Sequence, residues 1–145
     1  MQSCAELVTC GMTVTKQIIA MGGGGFSMEP ENLLLERYVL AQAEKPRPRV
    51  CFVPTASGDS LTYIERFYDA FRELDCEPSH LSVFNGPIGD WREYVLSKDV
   101  IYVGGGNTKN LLALWRDLGP RSHHARSMGE RNRDGWHQRR IDLLV

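Results

Sequence analysis

Much of what this 145-residue sequence could be is excluded by what it does not contain. No stretch approaches about 18 consecutive apolar residues, and the first residues offer neither a cationic start nor an apolar signal core. A membrane partner is therefore not expected, and the cytoplasm is the expected compartment. There are only four cysteines, Cys4, Cys10, Cys51 and Cys76, and no C-x-x-C pair. That argues against a disulfide framework or a zinc centre and for reduced thiols. No G-K-[ST] follows either glycine cluster, which excludes a P-loop. A dinucleotide fingerprint fails too, because Ser27 stands where the series from Gly22 and Gly24 wants its last glycine, and Lys109 stands there in the series from Gly104 and Gly106. Blocks of Lys or Arg are also missing, so no nucleic-acid partner is expected.

What is present is a 42% hydrophobic chain of near-zero net charge, enough for one packed domain. Strand-like and helix-like patterns alternate along it. "KQIIAMG" (16–22), "RVCFVPT" (49–55), "HLSVF" (80–84) and "DVIYVGG" (99–105) read as buried strands. "ENLLLERYVLAQAE" (31–44) places Leu34, Tyr38 and Ala41 at helical spacing, and "SLTYIERFYDAFRELD" (60–75) lines up Tyr63, Ile64, Phe67, Phe71 and Leu74. "IGDWREYVLS" (88–97) and "NTKNLLALWRDLG" (107–119) complete the helices, with Gly119 as a stop. The alternation predicts an α/β fold, doubly wound around a mainly parallel sheet.

In such sheets ligands gather where strands end and helices begin. Three of these junctions are unusual: "GGGGFS" (22–27), "PTASGDS" (54–60) and "GGGNT" (104–108). Glycine lets a backbone approach a ligand closely and turn its N–H groups toward negative charge. That defines a class of site, for an anion or an oxyanion, and leaves tight turns without catalytic duty as an equal reading. One alternative is a small nucleotide- or phosphate-binding module without catalysis. Ser57, Asp59 and Ser60 fit a pocket lining but fit the N-cap of the following helix better. Trp91 and Trp115 read as packing, His80 as a surface residue, and the adjacent His123 and His124 as solvated rather than metal-bound.

The succession "IIAMGGGGFSMEP", "VCFVPTASGDS", "FNGP" and "DVIYVGGGNTKNLLALW" resembles the amino-terminal part of the dipeptidase E and cyanophycinase family of serine peptidases, over residues 16–119. The resemblance implies a flavodoxin-like three-layer α/β/α fold, related to class I glutamine amidotransferases, and hydrolysis of short peptides, Asp-X peptides among them, without metal or cofactor. It implies that the Gly106 N–H serves the oxyanion, with Gly105 and Asn107 beside it, and that Gly24, Gly25 and Ser57 line the substrate side. A serine in a G-x-S-A-G elbow would be the nucleophile and a later histidine the base.

No G-x-S-x-G occurs in this chain, and the family-like text stops at Gly119. Residues 120–145 carry six arginines against Glu130, Asp134 and Asp142, hold three of the four histidines, and show no apolar rhythm. Read one base later, their codons permit a string containing G-I-S-A-G, and Trp136 followed by His137 forces a glycine at its first position. The expected organisation is a loose leader over 1–15, a truncated peptidase-like domain over 16–119, and a frameshift-derived or disordered tail over 120–145. Lacking nucleophile and base, the chain is expected to be inactive. Its unfinished sheet is expected to leave an apolar edge that favours homo-oligomers or poor solubility.

Overall fold

The computed structural model describes residues 17–84, 91–118 and 143–144. In chain order it contains β1 (Ile18–Ile19), α1 (Leu34–Gln42), β2 (Arg49–Val53), a 3-10 turn (Thr55–Ser57), α2 (Leu61–Arg72), β3 (Glu77–His80), α3 (Trp91–Leu96), β4 (Val100–Val103), α4 (Thr108–Leu118) and β5 (Leu143–Leu144). The strands form one parallel sheet in the order β1-β5-β4-β2-β3. This is the expected α/β architecture, a small, truncated flavodoxin-like arrangement.

Two apolar layers explain why β2 and β4 read as unbroken hydrophobic runs. Val50, Phe52, Val100 and Tyr102 face a core shared with Val39 of α1 and with Ile64, Phe67 and Phe71 of α2. Cys51, Val53, Ile101 and Val103 face the opposite way, against Trp91, Tyr94 and Val95 of α3 and Leu111 and Trp115 of α4. A strand covered on both faces has no solvent side and so no alternation. The aromatic layer is dense. Phe52 stacks on Phe67 at 4.7 Å, and the Phe26 ring lies 5.5–5.9 Å from Phe52, Tyr63, Phe67, Phe71 and Tyr102. The packing expected of Trp91 and Trp115 and the apolar stripe of α2 are both present.

Two expectations need correction. The third strand lies at 77–80, not 80–84, and its sequence is the polar EPSH. As an edge strand with one neighbour it is held by backbone pairing rather than burial: the Glu77 and Leu81 amides donate to Pro48 and Phe52 of the β2 side at 2.9 and 2.8 Å. Pro78 falls between them, where its missing N–H costs no ladder bond. In α1 the buried positions are Glu36 and Val39, with the flanking Leu33 and Ala43 buried in phase with them, while Leu34 and Tyr38 are 70% and 56% exposed. The run Leu33-Leu34-Leu35 fits either helical phase, and the structure takes the one that buries a glutamate.

β5 comes from the segment expected to lie outside the domain. It sits between β1 and β4, with Ile18 and Ile101 both opposite Leu143, so that place in the sheet is filled rather than left open. The leader over 1–15, His123, His124 and the rest of the tail up to residue 142 lie outside the described residues. Among the described residues no helix is long and apolar enough to cross a membrane.

Candidate functional site

The sheet reverses its winding at β2. From β2 the chain passes through α2 to β3 on one side, then through α3 to β4 on the other side. A crevice opens beyond the carboxyl ends of two strands wherever such a reversal occurs. Here those ends are Val53 and Val103, which are paired, and they lead into the loops 54–60 and 104–108. The pairing continues one step further, with the Gly104 amide donating to Val53 at 3.0 Å.

Each glycine of the triplet has a different physical duty. A Cβ on Gly104 would lie 2.9 Å from the Phe52 ring and 3.0 Å from Tyr63, so this glycine lets the backbone run against the aromatic layer. A Cβ on Gly105 would meet nothing within 4 Å. Gly106 has φ +145°, which disfavours any side chain, and a Cβ there would overlap the Ala56 carbonyl.

The backbone donors of this loop are unequally engaged. Gly105 N–H donates to the Tyr63 hydroxyl at 3.3 Å. Asn107 N–H donates to the Ala56 carbonyl at 2.8 Å, and its side-chain oxygen accepts the Asn110 amide at 3.1 Å, an N-cap bond for α4. The Gly106 amide has no acceptor among the described residues. It lies at the entry to an eleven-residue helix, whose amino end favours negative charge.

The second loop is a scaffold. Ser57 donates its hydroxyl to Pro54 at 2.8 Å. Ser60 stands at the N-cap of α2 but makes no side-chain cap bond, and Asp59 does not cap either. Asp59 is instead buried at φ +54°, a conformation Asp tolerates better than most residues. One of its oxygens accepts the Ser82 hydroxyl at 2.5 Å and the Val83 and Phe84 amides at 2.7 and 2.9 Å. Asp59 thus ties the loop after β2 to the segment after β3, which the capping expectation overlooked. Its other oxygen and the Thr55 hydroxyl are buried without partners among the described residues.

The first glycine loop is held from below by Glu36. This carboxylate is fully buried, and one oxygen accepts the Phe26 amide at 2.7 Å while the other has no partner among the described residues. A Cβ on Gly25 would come within 2.8 Å of that bonded oxygen and 3.2 Å of the Tyr102 hydroxyl. Gly25 is therefore a packing glycine, buried over Glu36, and Gly24 is half-buried beside it, its amide 3.3 Å from the Met28 sulfur. Burial, with the Glu36 charge second, raises the Tyr102 hydroxyl above the usual tyrosine range.

The structure thus brings together Gly105, Gly106, Asn107 and the Ser57 turn across the β2 and β4 ends, and places Gly24 and Gly25 on the separate β1 exit. Sequence reasoning missed Tyr63, Asp59 and Glu36 as the groups that hold these loops. His80 is the last residue of β3 rather than a surface residue before a strand, and its Nδ1 lies 2.8 Å from the Tyr68 hydroxyl. A groove of about 480 Å³ lies elsewhere, between α1 and α2, with Asn32, Arg37, Arg66 and Asp69 on its walls. Among the described residues no three His, Cys, Asp or Glu side chains gather to hold a metal ion.

Comparison with known proteins gives this geometry a context. Residues 18–129 match the sequence profile of Peptidase family S51, a span that ends beyond Gly119. "Uncharacterized peptidase YgaJ" of Bacillus subtilis (strain 168) is 64% identical over 104 residues, which make up 72% of this chain and 45% of that relative. The chain thus spans less than half the length of the curated relative it matches. No solved structure matches it.

Proposed function

The chain belongs to peptidase family S51, and on that premise we propose that its fold serves a serine-type hydrolysis of short peptides, Asp-X peptides among them, with the Gly106 amide as an oxyanion donor. The observation that carries the proposal is the Gly106 N–H, which has no acceptor among the described residues. It stands on a loop whose other candidate amides, those of Gly105 and Asn107, are already committed, at the carboxyl ends of the two strands flanking the reversal. A preorganised amide of this kind stabilises the negative oxygen of a tetrahedral intermediate, by about 3 kcal/mol where such donors have been removed from other hydrolases.

Attack on the carbonyl needs a nucleophile with a base beside it, and the sequence as written has no G-x-S-x-G elbow. Residues 120–145 are proposed to arise from a shifted frame, and the 145-residue chain is expected to turn over no substrate. The test compares this chain with the product read one base later beyond codon 118, on aspartyl dipeptides, with sequencing of the DNA across codons 115–145. The expected result is turnover by the second protein alone, abolished by a serine-directed inhibitor. Inhibitor-sensitive turnover by the 145-residue chain overturns its inactivity, and none by either protein overturns the peptide substrate class.

A further inference from the structure

We propose that the Tyr63 hydroxyl is a second donor of the anion site at the glycine triplet, acting beside the Gly106 amide on the carboxylate or tetrahedral oxyanion of a bound peptide. This rests on the reading of Gly106 given above and adds to it a side chain from a different helix.

The hydroxyl oxygen of Tyr63 accepts the Gly105 N–H at 3.3 Å, which uses its acceptor side. A tyrosine hydroxyl has one proton to give, and no described residue accepts it. The Gly106 amide, one residue along, likewise has no acceptor among the described residues. Two donors with no acceptor among the described residues therefore lie at adjoining positions of the loop.

The tyrosine ring is packed into the aromatic layer. It lies 5.5 Å from Phe26 and 5.0 Å, edge on, from Phe52, and the bare Gly104 backbone runs along one edge of it. The third residue of α2 is thus fixed by the same aromatic layer that forms the core, so the hydroxyl stands in place before any ligand arrives. Donors fixed in advance gain more from an anion than donors that must be ordered by it. Gly105 gives up its own amide to fix the tyrosine, which divides the triplet into a glycine that packs, one that anchors and one that binds.

The test titrates the ¹⁵N-labelled 145-residue chain with inorganic phosphate at constant ionic strength and follows the Gly105 and Gly106 amide signals. The expected result is a saturable shift of Gly106, and affinity about tenfold weaker in Tyr63→Phe, the scale of one hydrogen bond to a charged group. Saturable Gly106 shifts with unchanged affinity in Tyr63→Phe overturn the tyrosine's part and leave the Gly106 reading standing. No Gly106 shift in the wild-type chain overturns both donors, while the peptidase assay still decides the hydrolytic reading by itself. If Tyr63→Phe does not fold, 3-fluorotyrosine incorporation replaces it. The more acidic hydroxyl should tighten phosphate binding, and unchanged affinity overturns the proposal.

Discussion

Asp99 and Arg49 lock the amino ends of β4 and β2 to one another. The Asp99 carboxylate accepts the Arg49 backbone amide at 2.8 Å and its guanidinium at 3.0 and 3.1 Å, and the Arg49 carbonyl accepts the Asp99 amide at 2.9 Å. Lys45 adds a third cationic contact at 3.0 Å. The pairing sits at the end of the sheet opposite the glycine triplet, so it bears on stability rather than on the site.

Burial by itself would raise the Asp99 carboxyl, but the hydrogen bonds from Arg49 and Lys45 outweigh it and lower it to about 2. A carboxylate lowered in the folded state adds stability that is complete above its unfolded value and is lost as pH falls toward the folded one. Asp99→Asn should therefore cost about 1 kcal/mol at neutral pH, allowing for screening by its half-exposed partners. It should also flatten the loss of stability between about pH 4 and 2. Urea melts at a series of pH values check both, and parallel curves for the two proteins would refute the assignment.

The triplet predicts an unequal response to alanine. Gly105→Ala should leave the melting temperature nearly unchanged, since its Cβ meets open space. Gly106→Ala should destabilise by about 1–3 kcal/mol through strained backbone and overlap with Ala56. Differential scanning calorimetry on the two variants reads the contrast.

Burial raises the Cys51 thiol to about 12 and the Cys76 thiol to about 11. Thiols so raised and so enclosed are poor nucleophiles. Iodoacetamide at pH 8 should leave both unlabelled in the native chain and label both in 6 M guanidinium, as read by peptide mass spectrometry.

Glu36→Gln keeps an acceptor for the Phe26 amide, whereas Glu36→Ala removes it. The alanine variant should lose about 1–3 kcal/mol and the glutamine variant less. Faster hydrogen exchange at Phe26 in Glu36→Ala alone is the accompanying signature.

The glycine triplet was legible because an apolar four-residue strand runs straight into it and an asparagine in capping position follows. Tyr63 was legible only as core: its helical spacing with Phe67 and Phe71 is satisfied by its ring, and nothing in that periodicity reports where the hydroxyl goes. Glu36 was hidden by Leu33-Leu34-Leu35, which offers two phases and makes the one burying a carboxylate look the poorer. Asp59 read as a cap because local patterns score neighbours, whereas its partners Ser82, Val83 and Phe84 come from another loop. β3 escaped because an edge strand with one neighbour needs backbone partners more than apolar side chains.

Among the described residues β1 is joined to the sheet through β5 alone. Without the Leu143–Leu144 pairing, Ile18 and Ile19 would have no strand partner among the described residues, while β2, β3 and β4 keep one another. The opening strand thus depends on a pair of leucines more than a hundred positions further along the chain.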